Sequence, residues 1–142
     1  MAGNPNGFVQ ASDFGNPKVL TGETLEAISG GQFVGVSGTT GIVSSDLSSY
    51  ENSDVKFYVA DSKDNVVGMA MNTVGANANL GVAVEGVVLA KCGGSVFAGQ
   101  LVEKVASDDA VQSLSSGSST YAIGRAYTAG ASGGFALIHI NP

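Results

Sequence analysis

A short strand pattern occurs twice in this chain, and that doubling limits what the chain can become. Gly31-Gln32-Phe33-Val34 returns as Gly99-Gln100-Leu101-Val102. Ile42-Val43-Ser44-Ser45 is matched by Ala110-Val111-Gln112-Ser113, and Val66-Val67-Gly68-Met69-Ala70 by Ala122-Ile123-Gly124-Arg125-Ala126. A Gly-rich link and an apolar strand close each copy, Leu80 to Ala90 and then Phe135 to Ile140. Aligned from Gly31 and Gly99, five of the first fifteen positions are identical, and the order of four blocks adds more than any one block. From the Gly-Gln pair to the Gly-x-Ala, copy one is longer by twelve residues, 37 against 25, and the excess is placed near Tyr50 to Asp61.

The composition agrees with a doubled strand unit. Of 142 residues, 21 are Gly and three are Pro, with Ala, Ser and Val abundant and no sustained helical spacing of apolar residues. Such a chain favours short strands and tight turns over helices. The chain is 44% hydrophobic and 13% charged, against a usual charged share of about 25%, so it is not a disordered chain and part of its surface is expected to meet protein. The reading is all-β: an arm over 1–22, then one β domain over 23–142, with copy one at about 23–90 and copy two at about 91–142. Leu80 to Ala90 is apolar on both faces and is therefore the expected central strand. Val55, Phe57 and Val59 share one face of another strand. Leu25 to Ile28 and Gln32 to Val36 read as strands around a Gly30-Gly31 hairpin or bulge, and Val96 to Val105 as the second Gly-Gln strand. Gly68, inside a strand, marks close backbone approach. In the arm, Phe8, Val9, Phe14, Val19 and Leu20 are isolated large apolar residues that can anchor it onto a neighbour.

Charge and cysteine usage exclude several classes. The net charge is −6, and the six basic residues are scattered, so the concentrated positive patch that direct nucleic-acid binding needs is missing. Cys92, the only cysteine, leaves no intrachain disulfide. The opening Met-Ala-Gly-Asn-Pro-Asn has neither the basic region nor the apolar core of a secretory signal, and no apolar run approaches the ~20 residues of a membrane span. Both point to assembly in a cytoplasm, without a membrane partner.

No catalytic or metal-binding cluster emerges. Gly130-Ala131-Ser132-Gly133-Gly134 formally matches a nucleophile elbow, but no helix pattern follows, and the sole histidine, His139, falls within a strand pattern. The Gly-rich run from Gly35 to Gly41 lacks the Lys and the helix of a phosphate cradle. One His and one Cys cannot make a zinc site, and Asp61, Asp64 and Asn65, like Asp108 and Asp109, read as polar turns. Cys92 reads as a small, half-buried residue. Glu85 and Arg125 interrupt apolar runs and point outward or into a subunit contact. The expectation is a non-enzymatic protein with no cofactor and no metal.

The blocks from Gly81 to Leu89, Ala98-Gly99-Gln100-Leu101-Val102, Asp109-Ala110-Val111, Ala122-Ile123-Gly124-Arg125-Ala126 and Phe135 to Ile140 resemble the head-decoration, or capsid-cement, proteins of tailed bacterial and archaeal viruses, including the lambda-type decoration β domain. The resemblance covers about the C-terminal 60 residues, and the N-terminal half looks like a looser second copy. It implies a compact β-barrel or β-tulip-like domain, often trimeric, whose N-terminal arm reaches onto the major capsid protein on the outside of an icosahedral shell. The internal doubling departs from that pattern. A competing expectation is a β-sandwich binding or adhesion module of a virion fibre or spike.

Overall fold

The computed structural model describes residues 18–37, 55–61, 65–106, 108–114 and 121–141. Among them are nine strands and no α-helix: β1 (Lys18–Thr24), β2 (Phe33–Ser37), β3 (Lys56–Val59), β4 (Gly68–Ala70), β5 (Asn79–Lys91), β6 (Leu101–Lys104), β7 (Val111–Ser113), β8 (Ala122–Ala126) and β9 (Phe135–Ile140). The all-β reading holds, and the doubling is a structural one.

The sheet runs β1-β3-β2-β4-β5-β9-β8-β6-β7, and β1 also pairs with β5. The first five strands therefore close into a barrel. The same wiring recurs in the second half. β1 pairs β3 in parallel with Thr24 opposite Phe57, and Cys92, just beyond β5, bridges Val111 of β7 in parallel. β2 lies between β3 and β4 as β6 lies between β7 and β8. β4 pairs β5 as β8 pairs β9. One strand belongs to both lobes. The N-terminal half of β5, from Asn79 to Glu85, pairs with β1, and the C-terminal half, from Gly86 to Lys91, pairs with β9. The hand-over falls at Gly86, whose φ of 148° suits glycine.

Four similar corners hold the two lobes in shape. They begin at Thr24, Ala70, Cys92 and Ala126, each small and fully buried. Seven residues on, at Gly31, Asn77, Gly99 and Gly133, the backbone turns through positive φ, between 58° and 91°. These four and Gly86 are the positive-φ residues of the described chain. Within each lobe the corners grip one another. The N–H of Gly31 donates to the carbonyl of Ala70 and that of Asn77 to Thr24; in lobe two Gly99 donates to Ala126 and Gly133 to Cys92, all at 2.8–2.9 Å. The bridges Ile28–Val74 and Val96–Gly130 complete the crossing. Asn tolerates this backbone better than other non-glycine residues, which lets Asn77 stand where the others have glycine.

The Gly-x-Ala motif now has a physical reason. A Cβ built on Gly68 would lie 2.3 Å from the Ala83 oxygen, and one on Gly124 2.1 Å from the His139 oxygen. Ala83 and His139 hold equivalent places in β5 and β9, so both glycines admit the same strand crossing. The alanines of the motif, Ala70 and Ala126, open corners. The interiors match as well. Ile28, Val34, Phe57, Ala70, Leu80 and Val82 fill lobe one. Their counterparts Val96, Val102, Val111, Ala126, Ala136 and Ile138 are buried in lobe two.

Several expectations are corrected. Leu25 to Ile28 is a corner with a single bridge rather than a strand, and Gly30-Gly31 belongs to that corner rather than to a hairpin. β6 begins at Leu101, after a corner that occupies Val96. The block match of Ile42–Ser45 with Ala110–Ser113 gives way, because β7 answers to β3; residues 42–45 lie outside the described residues. The excess length of copy one lies ahead of β3, where 38–55 joins β2 to β3 while 105–110 joins β6 to β7.

Two glycine substitutions separate the effects of space and of φ. Gly99→Ala meets no atom within 4 Å, so its cost comes from the positive φ alone and is about 1 kcal/mol. Gly124→Ala drives a methyl group into a neighbouring backbone and costs about 3 kcal/mol. Chemical denaturation of the two variants beside the parent checks both the order and the sizes.

Candidate functional site

The residues weighed for chemistry lie in corners and on strands. The Ser132 hydroxyl donates to the Gly93 carbonyl at 3.4 Å, in the last corner. His139 lies on the outer face of β9, its ring stacked on Tyr127 with centroids 6.1 Å apart and planes 10° from parallel. The two side chains keep different partners. Cys92 opens a corner and is fully buried, and burial pushes its thiol pKa up. Glu85 pairs with Lys18 at 3.0 Å on the surface. Among the described residues no group of three or more His, Cys, Asp or Glu is placed to hold a metal ion.

Of the arm residues, Phe8, Val9 and Phe14 lie outside the described residues, as does Asp64. Val19 and Leu20 belong to β1 and pair with Ala83 and Val82 of β5. β1 (Lys18–Thr24) thus takes up the end of the stretch read as an arm over 1–22. Sequence reasoning also missed two buried charges on β6. Glu103 and Lys104 are at most 1% exposed. Glu103 accepts a hydrogen bond from the Gln112 amide at 2.8 Å, and the Lys104 ammonium donates to the Val105 carbonyl at 3.0 Å. Alternation along Leu101 to Lys104 gives no signal for burying two charged neighbours.

The features most relevant to binding are the faces of the two lobes. In lobe one, Phe33 stands opposite Met69, and Met69 opposite Ala83, in one row across β2, β4 and β5. This row points away from the lobe's own interior and is buried in a cluster shared with lobe two, together with Ala60. Beside it the Gln32 amide donates to the Asp109 carboxylate of lobe two at 2.8 Å. Lys91 and Asp109 line a depression beneath Gln32, and Lys104 lines another beside Ala60. The equivalent row of lobe two runs Leu101, Arg125, His139 across β6, β8 and β9. There Arg125 is exposed, and Leu101 and His139 are half-buried. The Arg125 guanidinium donates to the Gly99 carbonyl at 2.6 Å, and none of the described carboxylates pairs with it. Exposed apolar side chains include Phe97, Tyr127 and Phe135 of lobe two and Leu25 and Val36 of lobe one.

Comparison with solved structures finds chains of similar build. The chain is similar to the head fibre gp8.5 N base of bacteriophage phi29. The match has a TM-score of 0.60 and 11% sequence identity, and it covers 89% of this chain and 95% of that one. At that identity the likeness is one of fold. The matched stretch takes in most of both lobes. No protein-family model matches the sequence, and no curated protein does.

Two measurements check the geometry. The Cys92 thiol should resist a thiol-reactive probe at neutral pH in the folded protein and react fully in denaturant. Asp109→Ala should cost about 1 kcal/mol through loss of the half-exposed Gln32 bond, read from the unfolding midpoint.

Proposed function

We propose that this chain is a structural virion protein that binds the outer surface of an icosahedral capsid and stabilises it by bridging capsomers. The observation that carries the reading is the end-to-end likeness of fold to a phage head fibre base. The sequence resemblance to head-decoration proteins, drawn from other features, leads to the same class.

The mechanism needs binding and no chemistry. A protein that attaches only to the closed lattice stabilises that lattice by linkage, in proportion to its occupancy. Several copies joined as a homo-oligomer, with a trimer favoured, share an effective concentration, so weak individual contacts gain avidity of roughly 10² to 10⁴. The stretch before β1, with Phe8, Val9 and Phe14, supplies an apolar contact to the major capsid protein. Val19 and Leu20, placed in β1, hold its root to the barrel. In this reading the protein has no catalytic activity, cofactor, nucleic-acid or membrane partner, and it joins the virion during assembly in the host cytoplasm.

The identity of the structural neighbour favours a second reading as well, that of a base or binding module of a virion fibre or spike. The two differ in copy number and in effect on the shell. Purified protein added to expanded capsids should bind in stoichiometric, saturable amounts and raise the temperature at which the shells rupture. Binding at a few sites per particle with no change in rupture temperature supports the fibre reading, and no binding at all rejects both. Removal of residues 1–17 should leave the β-rich dichroism intact and weaken attachment at least tenfold.

A further inference from the structure

We infer that the row Leu101, Arg125, His139 is a contact between copies of this chain, made head to tail onto lobe one of the next copy. The inference deepens the oligomer part of the proposed function and rests on it. The internal junction supplies the pattern. Lobe one buries Phe33, Met69 and Ala83 against lobe two, with Gln32 bonded to Asp109 beside them. The same positions in lobe two are Leu101, Arg125 and His139, with Gln100 beside them, and there Arg125 is exposed and Leu101 and His139 half-buried.

The receiving side can be located in the same way. In lobe two it includes Lys91 and Lys104, which border lobe one. Their counterparts in lobe one are Glu23 of β1 and Val36 of β2. Val36 is 42% exposed, and the Glu23 carboxylate is partly open to solvent although ion-paired with Lys56. The chemistry of the two open faces is complementary. Where the internal row has Met69, the outer row has the cation Arg125; where the internal receiver has the cation Lys91, the outer receiver has the carboxylate Glu23. Leu101 and Val36 supply apolar area on either side. Because the two faces differ, the contact is heterologous and either closes into a ring or propagates as a fibre.

Two surface variants test this. Arg125→Glu blocks the giving face and Val36→Asp the receiving face; both side chains are exposed, and dichroism and the unfolding midpoint verify folding. In sedimentation velocity over a dilution series the parent should run above monomer mass, and each variant alone should shift to monomer at concentrations where the parent is associated. A mixture of the two should form a heterodimer, since each retains the face the other lacks. A parent that stays monomeric overturns the inference, and so does an unchanged mass in either variant. So does a mixture that stays monomeric, because a head-to-tail contact requires the pairing. Capsid attachment is measured separately on the monomeric variants. Attachment that persists, weakened, leaves the virion role standing whichever way the mass measurements fall; loss of attachment by a parent that still assembles rejects the virion role alone.

Discussion

The rest of the structure depends on one strand that serves two barrels. β5 closes lobe one with its first half and opens lobe two with its second. A strand shared in this way is apolar on both faces, because each half contributes to an interior and its outer face is covered in part by the other lobe. The sequence from Leu80 to Ala90 meets that demand, with Leu80, Val82 and Ala83 in the first half and Val88 and Ala90 in the second all buried. It also ties the lobes together: each keeps its own half of β5, so separating them near Gly86 would break no pairing within a lobe but would uncover the apolar row Phe33, Met69 and Ala83.

Around this strand, the corners convert sequence into shape. Each lobe is tied by two corners whose backbone groups bond across to each other, and each corner needs a residue that accepts positive φ. These demands account for Gly31, Gly99 and Gly133, and close backbone approach accounts for Gly68 and Gly124, without reference to a ligand. In a Gly-rich chain a single Ser can match a catalytic pattern formally, as Gly130 to Gly134 does; in the fold Gly130 bridges Val96 and Gly133 turns through positive φ. The buried Cys92 fits the same account: it opens a corner in the place held by Thr24, Ala70 and Ala126, where a small side chain is required.

Much of the fold was legible in the sequence. The doubling, the central β5, the facing pattern of β3, the close approach at Gly68 and the bounds of β9 follow from alternation and repetition. What was hidden followed from position rather than composition. The corners escaped because Asn77 replaces glycine in one and because Ile28 and Val96 each bridge as single residues, which alternation cannot distinguish from a strand. The internal alignment slipped at Ile42 because an unequal connection precedes β3, and common residues such as Val and Ser match by chance. The candidate surface was the least visible. Arg125 stood out as an interruption and His139 as the sole histidine, but only the register that puts Arg125 opposite both Leu101 and His139, in the places of Met69 and Ala83, gives them a shared face.

The proposed role uses the doubled fold for attachment and bridging; what the chain shares with a phage head fibre base is the fold. The most direct test of this account is an electron cryomicroscopy map of the intact virus particle that incorporates the protein. The account predicts outward-facing density on the shell that fits two five-stranded lobes joined through one long strand and touches more than one capsomer. A particle whose exterior lacks such density, or a protein found only inside the shell or only free of it, would contradict the account.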